Sequence, residues 1–360
     1  MPTLPTEKPD TVPVSVIIAN YNYADFIAAA IDSALALRWP DVEVIVVDDG
    51  STDRSRQVIA SYGDRVSALF QSNQGQVGAC NNGYAASRGE WIIFLDSDDM
   101  LHPDLLQEAA KKWGPGVSKI QSQMLRVDAK GNSLGTVFPQ YKVPPTPVLI
   151  RRWATRTSAY PTPPGSGNIY ARCFLDNIFP LEEGRWDFVD SPCLATAAYF
   201  GDVETLALPL VYYRMHGKND SQMVEFNVDL TVRDIERARK RFTFAQQIAR
   251  SRGMRIDSKA IFRSLSFAAY RIVSFRFAAK RHPITSDSRG RIIYDAIRAG
   301  CSPQGLALTA SAVLVFWILL VAVAPARLAK LLISWRYIPS SRPVRIAKTL
   351  RILDASLRPA

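Results

Sequence analysis

Asp96-Ser97-Asp98 sets two carboxylates two residues apart, and Asp99 adds a third. Like charges this close are costly unless a cation sits between them. Hard divalent cations, Mn2+ or Mg2+, take oxygen ligands and keep positions open for phosphate oxygens. The D-x-D pair therefore suits a site for a metal and a diphosphate. Asp48-Asp49-Gly50-Ser51 is a second acidic corner. A carboxylate there can accept the N–H of a nucleobase, and Tyr21 offers a ring for that base to stack on. Asp or Ser after a strand also caps the helix that follows. Capping explains one acid per helix, but not acid pairs at two separate places.

These residues need a scaffold that brings them together. Val14–Ala19, Val42–Val47, Val66–Phe70 and Trp91–Leu95 are short β-branched or aromatic runs. Between and after them, 25–37, 51–62, 78–87 and 103–113 read as helices. Such alternation predicts an α/β fold with a mostly parallel sheet flanked by helices. Ligands of such sheets bind beyond the C-terminal strand ends. The four runs lead into Ala19-Asn20-Tyr21-Asn22, Asp48–Asp53, Asn73–Gln76 and Asp96–Asp99. Further on, 120–127 reads as a strand, 139–168 as irregular loops rich in proline, 188–200 as a helix and 206–215 as one or two strands.

V-S-V-I-I-A-N-Y-N (14–22), V-V-D-D-G-S-T-D (46–53), N-Q-G (73–75) and F-L-D-S-D-D (94–99) resemble the signature of family 2 glycosyltransferases of the GT-A fold. The resemblance covers 14–113 in order and spacing, weakens across 115–165 and returns at 165–221. It does not reach 226–360. It implies an inverting transfer of a sugar from a nucleotide diphosphate sugar, of UDP type, to an acceptor hydroxyl. Ala19, Tyr21, Asp49 and Gly75 then belong to the nucleotide-sugar site, Asp96 contacts the ribose, and Asp98 ligates the metal. Many members carry Pro or Thr at the position of Ala19. Family members also use a carboxylate as general base, which takes the acceptor's proton. Asp190 fits that register ahead of Phe200-Gly201, with Val189 where an acidic partner is usual. Asp187 is the alternative, and Asp190 can also cap a helix ahead of Pro192. Tyr213-Arg214-Met215-His216, with Asn219 and Ser221, resembles the family's closing segment. It implies His216 in the metal shell and Arg214 on the diphosphate. His102 reads as structural or exposed, and Gly165–Asn168 as a lining of the sugar pocket or a plain loop.

Composition bounds the remainder. With 48% hydrophobic and 21% charged residues, the chain can bury a core, and wholesale disorder is excluded. Cys80, Cys173, Cys193 and Cys301 form no C-x-x-C pair, so neither a disulfide framework nor a zinc site is expected. Residues 1–13 are read as a flexible N-terminus without a signal segment. The glycosyltransferase domain is set at 14–225, its donor half at 14–113 and its acceptor half at 114–225. A basic helical region follows at 226–302, then a hydrophobic helix and basic tail at 303–360. Residues 226–360 hold 25 Lys and Arg against 7 Asp and Glu, whereas 1–225 hold 19 against 26. Leu306–Ala324 carries only Thr309 and Ser311 as polar side chains. This stretch is read as a re-entrant or interfacial helix, a span or a core helix. The expected location is the cytosolic face of the plasma membrane, with a carbohydrate or lipid-linked acceptor. A different class of reading is a protein that binds nucleic acid or anionic membrane through its basic half, with a degenerate, non-catalytic domain in front. No aromatic or Gly-rich RNA-binding motif accompanies the basic residues, so nucleic acid is not expected as a partner.

Overall fold

Strands covered on both faces read as near-continuous hydrophobic runs. β1 (Val14–Asn20), β2 (Val42–Asp49) and β4 (Trp91–Asp96) follow that rule, with almost every side chain buried. A computed structural model describes residues 12–141, 143–157, 159–217, 227–302, 306–338 and 341–343. The chain divides into two compact units. One holds the residues up to Arg151 with Thr162–His216, and the other holds Arg152–Pro161 with the residues from Gly217 on.

The first unit is a nine-stranded sheet. It adds β3 (Ser67–Gln71), β5 (Met100–Leu101), β6 (Val117–Val127), β7 (Ser133–Phe138), β8 (Asn168–Ala171) and β9 (Asp202–Arg214). The order is β3-β2-β1-β4-β8-β6-β9-β5, with β7 on β6. It is parallel from β3 to β4 and mixed beyond. Ala19 is therefore in register with both Val47 and Asp96, and Asn20 with Asp48, so the acidic corners share one edge. Helices α1 (Ile27–Leu35), α2 (Ser55–Ala60), α3 (Gly75–Ala86), α4 (Leu105–Ala110), α6 (Arg172–Leu175) and α7 (Asp190–Phe200) complete the α/β pattern. One expectation is corrected: 139–168 is not all irregular, because α5 occupies Pro147–Thr157. The Thr146 hydroxyl accepts the Leu149 N–H, and Pro147 suits the first helical position.

The second unit is helical: α8 (Val228–Ser251), α9 (Leu265–Phe277), α10 (Arg289–Gly300), α11 (Leu308–Val323) and α12 (Ala326–Tyr337). Leu314, Trp317, Ile318 and Val321 of α11 are buried in one cluster with Ala268, Ile272, Ile292 and Ile333. No helix among the described residues is long and apolar enough to cross a membrane. At 1.5 Å per residue, α11 covers about 24 Å, short of a bilayer core of about 30 Å, before Pro325 starts a new helix. A membrane span, one of the alternatives for Leu306–Ala324, is thus not formed. The basic residues from Arg345 on, Asn219 and Ser221 lie outside the described residues.

Candidate functional site

The loop after β1 is folded onto the loop after β2 by side chain to backbone bonds. Asn22 has a left-handed φ of 59°, a conformation that Asn tolerates better than most residues. Its Oδ1 accepts the Thr52 N–H at 2.8 Å and the Asp53 N–H at 3.3 Å. The Ser51 hydroxyl accepts from Asn22 N and from Asn20 Nδ2. Asp48 is fully buried and accepts from Asn20 Nδ2 and Ser51 N, so its role is to hold this loop pair. Tyr21 is left 46% exposed beside buried Asp49. Asp49 Oδ1 accepts from Gln71 Nε2 and Gln74 N, both at 2.8 Å. Gly75 opens α3 with a φ of 79°, which its lack of a Cβ permits.

The D-x-D turn is held as firmly. The Ser97 hydroxyl donates to the Ala19 carbonyl at 2.8 Å. Asp98 Oδ2 and His216 Nε2 lie 2.8 Å apart, which brings the two expected metal ligands together. The imidazole is stacked on Phe26 at 4.6 Å and meets Tyr23 edge-on. Asp99 accepts from the Ser166 hydroxyl at 2.7 Å and from the Arg214 N–H at 3.1 Å. Burial, with the charges of Asp98 and Asp96 added, holds the Asp99 carboxyl well above the usual carboxylate range. Burial likewise pushes Asp96 up to about 8, helped by Asp98 and Asp190. Arg214, expected on the diphosphate, reaches the D-x-D turn. Its Nε donates to the Asp98 carbonyl at 2.8 Å and one terminal nitrogen to the Ala129 carbonyl at 2.9 Å. In this conformation it braces the D-x-D backbone.

Asp190 starts α7, where a carboxylate is favoured by the helix dipole. Its Oδ2 accepts the Gly165 N–H at 3.2 Å. Ser166, the next residue, donates to Asp99 and accepts the Asp96 N–H at 3.0 Å. Gln76 donates to Asp96 Oδ1 at 3.1 Å and accepts the Val189 N–H at 3.3 Å. One short turn and one glutamine therefore tie the D-x-D strand to the start of α7. Asp187 is exposed on the segment before that helix. Behind the turn, the fully buried Lys119 donates to Gln121, Thr162 and Asn168. Asn168 in turn donates to the Pro163, Pro164 and Gly165 carbonyls. Burial holds the Lys119 ammonium well below its ordinary pKa. His102 Nδ1 accepts the Asp104 N–H at the start of α4 and lies 3.8 Å from the Asp104 carboxylate. Cys80, Cys173, Cys193 and Cys301 are free thiols, and burial pushes Cys80 and Cys193 up, away from thiolate chemistry.

Residues 15–136, which include the D-x-D turn and both loops above, match the glycosyl transferase family 2 model. The chain carries a family 2 glycosyltransferase domain. An uncharacterized glycosyltransferase of Nostoc sp. is 36% identical over 216 residues, 58% of this chain and 66% of the relative. The succinoglycan biosynthesis protein ExoO of Rhizobium meliloti is 46% identical over 107 residues, 29% of this chain and 30% of its own. The match thus takes in two thirds or less of these relatives. Among solved structures, S. aureus TarS residues 1–349 in complex with UDP is similar, with a TM-score of 0.51 at 18% identity. That match covers 96% of this chain and 89% of the other, a likeness of fold.

The donor set of the glycosyltransferase site suits a small divalent cation. Asp98 supplies oxygen, His216 supplies an imidazole nitrogen, and two side chains leave most coordination positions for phosphate oxygens and water. Among the described residues no group of three or more His, Cys, Asp or Glu could hold a metal alone. A cation here would be shared with a diphosphate. Gln76, Ser166, Lys119 and Asn168 were not singled out by sequence for the roles they play. Gly165–Asn168 stood out there as a lining of the sugar pocket or a plain loop, not as the tie between Asp190 and the D-x-D turn.

Proposed function

We propose that this chain transfers a sugar from a nucleotide diphosphate sugar to the hydroxyl of a carbohydrate or lipid-linked acceptor, with inversion at the anomeric carbon. The observation that carries the reading is the Asp98–His216 pair at 2.8 Å, joined through the Gly165-Ser166 turn to Asp190. A metal-diphosphate site and a candidate base then flank one reacting centre. Tyr21 stacks on the nucleobase, Asp49 accepts its N–H, and Asp96 meets the ribose. Asp98 and His216 would hold Mn2+ or Mg2+, which when bound neutralises the leaving diphosphate. Arg214 fixes the Asp98 backbone that presents this carboxylate. Asp190 takes the acceptor's proton as its oxygen bonds to the anomeric carbon. The bond from that carbon to the diphosphate breaks, and the nucleoside diphosphate leaves with the electron pair. TarS was solved with UDP, which supports uridine as the first nucleotide to test. The name of ExoO supports synthesis of a cell-surface polysaccharide or glycolipid.

The test is release of nucleoside diphosphate from a panel of nucleotide sugars in the presence of Mn2+. Asp98→Asn should nearly abolish release and weaken metal-dependent donor binding. Asp190→Asn should lower turnover by at least ~100-fold while donor affinity stays within about twofold. Full turnover in excess chelator removes the metal from the reading. Normal turnover of Asp190→Asn, with Asp187→Asn inactive, moves the base to Asp187.

A further inference from the structure

Helix α11 is apolar on every side, yet only one side is covered. Leu314, Trp317, Ile318 and Val321 are buried in the second unit's core. On the other side Leu308 is 72% exposed, Phe316 61% and Val323 73%, with Ala312 exposed and Leu319 half-buried between them. Steps of four, four, three and four residues place these five side chains on one continuous ridge. Past Pro325, Leu328 and Leu331 of α12 are exposed as well. Thr309 is the only exposed polar side chain of α11.

The charge along this stretch of the chain has one sign. No Asp or Glu occurs between Asp295 and Asp354. Arg327 and Lys330, interleaved with Leu328 and Leu331, are both exposed, as is Arg298 at the end of α10. Arg276 donates to the Val321 carbonyl near the C-terminal end of α11. An apolar strip flanked by Lys and Arg matches the acyl boundary of an anionic bilayer, with the long cationic stems reaching to the headgroups. The same signs oppose the alternatives. A second copy would set Arg327 and Lys330 against their own like charges. A nucleic acid would find no phosphate donors along Leu308, Phe316 and Val323. No helix among the described residues is long and apolar enough to span a bilayer.

We infer that the exposed ridge of α11 and the start of α12 form a monotopic docking surface for anionic lipid, with Phe316 and Val323 inserted and Arg327 and Lys330 at the headgroups. This reading goes beyond sugar transfer and does not depend on it. The full-length protein is tested by co-sedimentation with phosphatidylcholine vesicles, with and without phosphatidylglycerol. It should pellet with the anionic vesicles and far less with neutral ones. Arg327→Gln and Lys330→Gln should each weaken that binding by about fivefold, and added salt should mimic them. A Phe316→Glu, Val323→Glu double variant should lose at least ~10-fold in affinity. Its melting temperature should stay unchanged, since both side chains are exposed, and Phe316→Ala gives a milder control. Donor hydrolysis without vesicles should be the same in all variants, which separates this test from that of the sugar transfer. The inference fails if the wild type stays in the supernatant or if the double variant pellets as the wild type does. It fails equally if sedimentation velocity shows a dimer that the double variant dissolves, which would make the ridge a self-association surface.

Discussion

Two regions bury carboxylates in opposite ways. In the helical unit, Asp287 accepts from both Nε and a terminal nitrogen of Arg271, and from His282 at 3.0 Å. A second terminal nitrogen of the same guanidinium reaches Asp295 at 2.9 Å. In the sheet unit, the carboxyls of Asp96 and Asp99 are held by neutral donors: Gln76, the Ser166 hydroxyl and the Arg214 N–H. The first arrangement neutralises its own charge, which is what a structural ion pair needs when out of water. The second pushes Asp96 and Asp99 upward instead. In the proposed transfer, such under-neutralised acids would suit a cluster that receives a cation.

The largest effect that could break this contrast is on stability. Arg271→Met should cost about 3–5 kcal/mol, because it leaves Asp287 buried without its guanidinium. Urea unfolding measures it, and a loss under about 1 kcal/mol would mean that the helical unit does not rely on the pairing. A smaller effect is expected at the turn. A Cβ on Gly165 would come 2.9 Å from Asp96 Oδ2. Gly165→Ala should therefore lower kcat by about 10–100-fold with little change in donor KM, as small displacements of reacting groups do. Unchanged kcat would show that the Asp96 carboxyl can move without consequence. The change expected at any single step of pH is smaller, although it accumulates across the range. A carboxyl raised from 3.8 to about 8 contributes stability that is complete below about pH 4 and is lost as pH rises through 8. Asp96→Asn should flatten that decline between those limits, by no more than about 1.4 kcal/mol per pH unit. Chemical denaturation across pH reads it, and an identical slope in both proteins would show that the neutral donors compensate the charge after all.

The strand ends were legible because type and period coincide there. β1, β2 and β4 are buried β-branched runs, and each breaks into polar residues where the chain leaves the sheet. The pairing of Asp98 with His216 was legible as chemistry, while its distance depends on β9 lying beside β5. What was not legible depends on contacts far apart in sequence. Lys119 lies in a strand where polar and apolar residues mix, and only the register of β6 with β8 brings Asn168 to it. Gln76 reads as one more polar residue at a helix start until Val189 is brought to it. Arg214 reads as an anion ligand by type, and its added hold on the Asp98 and Ala129 carbonyls comes from contacts that sequence does not show. Two-residue β5 is below any periodic signal, and α5 is hidden in a proline-rich stretch that reads as loop, although Pro147 suits the first helical position. α11 was legible as a helix, but which of its uniformly apolar faces would be covered was not, because nothing in its own sequence distinguishes them.

Gly165 and Ser166 are neighbours in the chain, and one holds Asp190 while the other holds Asp96 and Asp99. Consecutive Cα atoms across a trans peptide are 3.8 Å apart and cannot stretch. In the proposed transfer, a single peptide unit is thus a ruler laid between the diphosphate side and the acceptor side of the reaction. Its length is the same whatever sugar or acceptor is bound. Changes of specificity among relatives built on this plan would have to be written in loops that flank the ruler, while an insertion or deletion between Pro163 and Asn168 would miscalibrate every substrate at once.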